Sequence, residues 1–251
     1  MDLNQVLIEA AKDENMLVLK TALEKGADIN TTDSSGMTAL MYAIKRGDWE
    51  IVNFLKEKGA KKEGCWKAIT DCTEAIELDP QSAHAYNNRG NAYRDLGEHK
   101  KAIDDYTKTI ELDPQGAYAY KNRGNAYDDL GEHHKAIDDC TKAIELDPQG
   151  AYAYNNRGNV YSNLGEHHKA IDDYTKAIEL DPQGAYAYKN RGLAYKNLGE
   201  HQKAIDDFYQ AGTLYLQENN RDDAIVCINS MKKIDPSSQL INKLQDLINQ
   251  I

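Results

Sequence analysis

The sequence predicts an all-α chain, an α-solenoid of stacked helix-turn-helix repeats. Three observations predict it: a strict recurrence, two amphipathic stretches inside each period, and turn signals that close each stretch at the same place. Asp-Pro pairs fall at Asp79-Pro80, Asp113-Pro114, Asp147-Pro148 and Asp181-Pro182, so the four prolines are evenly spaced. Around them recurs Ala-Tyr-x-Asn-Arg-Gly, then Tyr, Leu-Gly-Glu-His, Lys-Ala-Ile-Asp-Asp and Glu-Leu-Asp-Pro.

One period shows the logic. From Ala83 to Leu96, Tyr86, Gly90 and Tyr93 recur at helical spacing, and Gly97 stops the helix. From His99 to Leu112, Ala102, Ile103, Tyr106 and Ile110 share one face, and Asp113-Pro114 closes that helix because proline disfavours helical geometry in the residue before it. So short a turn forces the two helices antiparallel, with Gly90 and Ala102 small where they approach. A single hairpin cannot bury both its faces, so stacking completes the core.

These positions strongly resemble the tetratricopeptide repeat family. The signature places match Tyr86, Gly90, Tyr93, Ala102, Tyr106 and Pro114, then Tyr120, Gly124, Tyr127, Ala136, Cys140 and Pro148, then Tyr154, Gly158, Tyr161, Ala170, Tyr174 and Pro182. A fourth unit carries Tyr188, Gly192, Tyr195, Ala204 and Phe208. Arginine replaces the family's usual leucine before the glycine, at Arg89, Arg123, Arg157 and Arg191. The resemblance implies a right-handed superhelix. It divides the chain into a half repeat at 61–82, repeats at 83–116, 117–150 and 151–184, and an irregular remainder at 185–251.

That remainder departs from the period, since Asp235-Pro236 follows Pro182 by more than one period and less than two. Tyr215 to Ile225 echoes Tyr195 to Ile205, so about half a repeat is missing. One long helix near His201–Glu218 is expected to serve two units, with Asn219-Asn220 breaking it and a helix from about Ser237 capping the array. A finer period, two repeats long, pairs Cys72 with Cys140, Asn87 with Asn155, Tyr106 with Tyr174 and Lys121 with Lys189, as duplication of a repeat pair would produce.

Residues 1–60 differ. Asp33-Ser34-Ser35-Gly36-Met37-Thr38-Ala39-Leu40-Met41-Tyr42-Ala43 resembles an ankyrin opening, and Gly47 to Leu55 continues as its second helix would. Gly26-Ala27 and Gly59-Ala60 stand one ankyrin period apart. Ala39 and Met41 stand where the family has Pro and His. Two such units are expected to cap the solenoid, the Trp49–Lys58 helix pairing with the Trp66–Leu78 helix.

Composition narrows the function classes. The chain has 251 residues, is 41% hydrophobic and 28% charged, and carries a formal net charge of −11, which suits a soluble folded protein. No basic run offers a phosphate-binding face, so no nucleic-acid partner is expected. No apolar run is long enough to span a bilayer, and Met1-Asp2-Leu3-Asn4-Gln5 lacks a secretory layout, so no membrane partner is expected. Cys65, Cys72, Cys140 and Cys227 show neither CxxC spacing nor disulfide density, which points to a reducing, cytoplasmic setting.

The chemical constellations are read as structure. His99, His133, His167 and His201 form a ladder, but stacked helices lie about 8–10 Å apart against metal–nitrogen distances of about 2 Å, so no metal is expected. Cys72 and Cys140 occupy the core place of Tyr106 and Tyr174. The pairs Asp104-Asp105, Asp138-Asp139, Asp172-Asp173 and Asp206-Asp207 are read as a solvated acidic ridge, some of them pairing the recurrent arginine. No phosphate loop, nucleophile elbow or zinc motif appears, so neither catalysis nor a cofactor is expected.

The resemblance implies that the first helices line a concave groove. There Tyr118, Tyr152 and Tyr186 recur, with Lys121, Asn155 and Lys189 beside Asn122, Asn156 and Asn190, and with Asn125 and Asn159 further on. An amide donates and accepts at once, which suits an extended backbone, though asparagine also serves structure and both roles stay open here. Lys121, Asn125 and Asn156 match three places of the carboxylate clamp of chaperone-binding members; Tyr186 and Asn190 fill the two that need charge, so that function is not expected. The expected function is a protein–protein interaction scaffold gripping an extended segment of another protein. The competing reading is a structural solenoid that self-associates through its ends or its Tyr-rich surface.

Since two ankyrin units fall short of the three stacked repeats normally needed, a fragment of residues 1–60 is expected to show no cooperative thermal transition by circular dichroism.

Overall fold

The computed structural model describes residues 2–33, 38–46, 48–59 and 63–249. The ankyrin-like turn at Ser34-Ser35-Gly36-Met37, together with Gly47, Ala60 and Lys61, lies outside them. Among the described residues the chain forms fifteen α-helices. None is long and apolar enough to cross a membrane. Two compact units emerge, Met1–Asp105 and Tyr106–Ile251.

The first unit holds α1 (Leu3–Lys12), α2 (Met16–Glu24), α3 (Ala39–Arg46), α4 (Trp49–Glu57), α5 (Glu63–Leu78), α6 (Ala83–Asp95) and the start of α7 (His99–Leu112). Side chains set the helix starts: the Asp2 carboxylate accepts from Asn4 N–H, the Asn15 amide from Val18 N–H. Leu7, Ala11, Leu19, Leu40, Ile51 and Leu55 close one core over α1–α4. The loop before α3 is tied back by Tyr42 Oη donating to Asp33 at 2.7 Å and by Lys12 Nζ at 3.2 Å from the same carboxylate. A second cluster joins Ile69 of α5 to Ala92 and Leu96 at the end of α6.

The second unit continues α7 and adds α8 (Ala117–Asp129), α9 (His133–Leu146), α10 (Ala151–Asn163), α11 (His167–Leu180), α12 (Ala185–Asn197), α13 (His201–Gln217), α14 (Arg221–Ile234) and α15 (Gln239–Asn249). The helices pack as antiparallel pairs α8–α9, α10–α11 and α12–α13; α13 packs on α14 and α15 as well. Its inner face, with Phe208, Ala211, Tyr215 and Gly212, fills the largest core together with Ile228, Met231 and Leu244.

Close approach within each pair depends on glycine. A Cβ at Gly158 would lie 2.7 Å from the Tyr174 ring, and one at Gly124 would lie 3.0 Å from Cys140 Sγ. The bend between paired helices is a left-handed cap: Gly131 and Gly165 sit at φ +76°, and Glu132 N–H donates to Tyr127 C=O at 2.8 Å. Asn219, at φ 59°, fills that role after α13, where Asn220 N–H reaches Tyr215 C=O at 2.7 Å.

The recurrent arginines tie the helices together at every repeat. Arg157 donates from Nε and Nη2 to both oxygens of Asp173 at 2.8 Å, while Nη1 reaches Thr141 Oγ1 at 3.0 Å. Arg89 does the same with Asp105 and Thr73, Arg123 with Asp139 and Thr107, and Arg191 with Asp207 and Thr175. Each guanidinium is pushed further up by its carboxylate partner. The Asp pairs thus divide between the two expected roles, solvated ridge and arginine partner. Asp104, Asp138, Asp172 and Asp206 are exposed, but Asp105, Asp139, Asp173 and Asp207 are 5–7% exposed, because the next position round the helix aims them at the arginine instead of at water.

Removing one partner strands the other charge in the interior. Arg157→Met is expected to destabilise the chain by about 3–5 kcal/mol in urea titrations, and adding Asp173→Leu is expected to restore most of that loss.

Candidate functional site

The first helices of successive repeats, α8, α10 and α12, lie side by side, since α10 touches both α8 and α12. Residues at equal repeat positions therefore form rows. Tyr118, Lys121, Asn122 and Asn125 come from α8, Tyr152, Asn155, Asn156 and Asn159 from α10, and Tyr186, Lys189 and Asn190 from α12.

Several of these side chains bridge neighbouring helices. Lys121 Nζ lies over the Tyr152 ring at 5.6 Å. Lys189 Nζ lies over Tyr186 at 5.0 Å and Tyr215 at 5.4 Å, and pairs with Asp223 at 3.5 Å. The Asn190 amide donates to Asn159 Oδ1 at 3.0 Å and to Asn155 Oδ1 at 3.4 Å. Asn159 Oδ1 also accepts from Tyr174 Oη at 2.8 Å.

Five of the asparagines divide into two kinds. Asn155, Asn159 and Asn190 hold the helices together. Asn125 and Asn156 have no hydrogen-bond partner among the described residues. Asn125 differs from Asn159 because Cys140, lacking a hydroxyl, stands where Tyr174 does in the next repeat. Tyr118 is half-buried, and burial followed by the nearby Asp113 raises its phenol above the ordinary range.

Among the described residues, Tyr152 and Tyr186 are the exposed rings, at 69% and 55%. They flank a cleft of about 580 Å³ whose walls include Asn155, Asp181, Gln183 and Glu218. A second, polar cavity of about 330 Å³ lies further along the same helices, lined by Asp128, Asn159, Ser162, Asn163, Tyr174, Asn190 and Leu193. There Asp128 bonds His133 Nδ1 at 2.7 Å and accepts from Asn163 at 3.0 Å.

Sequence reasoning missed Asp128, Asp181 and Glu218. Asp181 was visible as turn punctuation, and Asp128 as the carboxylate at a place held elsewhere by Arg94, Ser162 and Lys196. Glu218 had no signal, because it caps a helix outside the regular period. Among the described residues, no group of three or more His, Cys, Asp or Glu side chains is arranged to hold a metal ion.

Helix pairs stacked in register, with a row of tyrosines, lysines and amides along the first helices, define a helical repeat protein. The family comparison agrees. The tetratricopeptide repeat model matches residues 83–115, 117–149 and 151–183, a second tetratricopeptide model matches 173–206, and an ankyrin repeat model matches 7–55. The chain is a tetratricopeptide repeat protein with an N-terminal ankyrin-repeat segment.

Among solved structures, MamA shares 29% identity with a TM-score of 0.54, over 73% of this chain and 98% of that one. A MamA fragment from Desulfovibrio magneticus RS-1 has the same TM-score at 20% identity, over 70% of this chain and 96% of that one, and supports the fold alone. Curated relatives match shorter stretches. A probable E3 ubiquitin-protein ligase, XBOS33 of Oryza sativa subsp. japonica, is 43% identical over 53 residues, 21% of this chain and 10% of that one. The potassium channel AKT2/3 of Arabidopsis thaliana is 40% identical over 55 residues, 22% of this chain and 7% of that one. The chain thus covers a tenth or less of the length of either. Both repeat families are, in general, non-catalytic protein-interaction modules, and the fold supports a protein-interaction scaffold.

Burial also sorts the thiols, even Cys72 and Cys140 at the same repeat place. Burial pushes Cys140 and Cys227 up to about 12; Cys65 and Cys72 are half-buried, and burial raises Cys72 as well. A thiol raised that far stays protonated at pH 8 and does not attack. With a chromogenic disulfide reagent at pH 8, Cys65 and Cys72 are expected to titrate in the native protein, and Cys140 and Cys227 only after denaturation.

Proposed function

We propose that this protein is an adaptor that holds an extended segment of another protein along α8, α10 and α12. The observation that carries the reading is the row of exposed Tyr152 and Tyr186 beside a cleft, continued by amides at Asn125 and Asn156 that have no partner among the described residues. An extended chain advances about 3.3 Å per residue, so helices spaced near 10 Å meet about every third residue. Tyrosines contribute contact area, and the two amides pair with peptide groups whatever the client's side chains. Asn159 and Asn190 support the groove rather than touch the client, while Asn155 both supports it and lines the cleft.

A second reading, self-assembly, is favoured by a separate observation. Ile225 and Val226 on α14 are 39% and 49% exposed, next to each other on one of the last helices of the array. Sedimentation velocity separates the two: a mass that rises with concentration, and falls to the monomer in Val226→Glu, supports self-assembly.

Affinity capture with the full chain tests the groove. A client held by the native protein is expected to drop at least tenfold in Tyr152→Ala/Asn125→Ala/Asn156→Ala, with the thermal midpoint unchanged. Equal retention by both proteins would move the binding surface away from the first helices.

A further inference from the structure

The cleft between Tyr152 and Tyr186 has a chemistry of its own. Its polar walls are Asn155, Gln183, Asp181 and Glu218, and no lysine or arginine among the described residues lines it. Asp181 accepts from Gln183 N–H through Oδ1, at 3.2 Å, and makes no ion pair among the described residues; nor does Glu218. Two negative charges therefore face an aromatic cleft with no counter-charge on its described walls.

The nearby cations are already committed. Lys121 lies over Tyr152, and Lys189 lies over Tyr186 and Tyr215 with Asp223 at 3.5 Å. These contacts demonstrate that both rings accept an ammonium on a face, at 5.6 and 5.0 Å. An anionic side chain entering here would meet Asp181 and Glu218 at low separation. An aliphatic one would leave the carboxylates without a partner.

We infer that the cleft takes a cationic side chain, arginine or lysine, from the bound segment. This rests on the groove reading above and adds the chemistry of one anchor residue. The aliphatic stem lies between the tyrosines, and the charged head reaches Asp181 and Glu218, as long cationic side chains lie along apolar surface with the head in a polar setting. The formal net charge of −11 adds a field of the same sign that draws basic segments toward the protein.

The test uses the full chain and a positional-scanning library of decapeptides, random except for one fixed central residue. The Arg and Lys sublibraries are expected to bind at least fivefold more strongly than the Leu and Glu sublibraries, with the margin shrinking as salt rises. In Asp181→Asn/Glu218→Gln the preference is expected to vanish while total library binding persists. Asparagine keeps the Oδ1 acceptor of the turn, so this variant preserves the backbone, which circular dichroism verifies. Binding without a basic preference, or with one that survives the double variant, overturns the cationic anchor and leaves the groove standing. Failure of every sublibrary to bind overturns the groove reading and the anchor together.

Discussion

The bidentate arginine–aspartate pair, with its threonine reach into the preceding helix pair, is the constraint on which the stacked repeats depend. The carboxylate sits on the second helix of its own repeat, and the threonine on the second helix of the repeat before. A single guanidinium thereby fixes both the pairing of helices within a repeat and the offset between repeats. Its planar fork engages both carboxylate oxygens side-on through Nε and Nη2, so the pair specifies register as well as attraction. The cost of burying two charges is offset by filling both oxygens and three guanidinium nitrogens with partners.

The arrangement also explains where the regular array stops. Tyr215 to Ile225 echoes Tyr195 to Ile205, and the same echo sets Ala211 at the place of Arg191 and Cys227 at the place of Asp207. Both halves of the pair disappear together. There α13 turns to apolar packing against Ile228, Met231 and Leu244. At the other end Asp71, one period before Asp105, is exposed. Aspartate at this position is buried only where an arginine meets it.

The alternation of core residues reaches the groove by a short route. A tyrosine at 174 lends its hydroxyl to Asn159, which takes Asn190 too and is engaged by the scaffold. Cysteine at 140 lends nothing, and Asn125 keeps both its polar atoms. A buried exchange of tyrosine for cysteine thus changes the hydrogen bonding of a half-buried amide one helix away, so near-identical repeats present unequal faces to a client.

The sequence by itself determined the period, the helix pairs, the glycine stops and the small residues at close approach. All of these are local: helical spacing states which face is apolar, and a positive φ after each first helix admits glycine with little strain. The tertiary structure decided which aspartate of each pair is buried, which asparagines are held by the scaffold, and that Tyr152, Asp181, Tyr186 and Glu218 wall one cleft. Those outcomes depend on distances between side chains 16 to 35 residues apart, or further, across packed helices. A pattern of residue types cannot rank one polar partner over another until packing sets which of them is within hydrogen-bond reach.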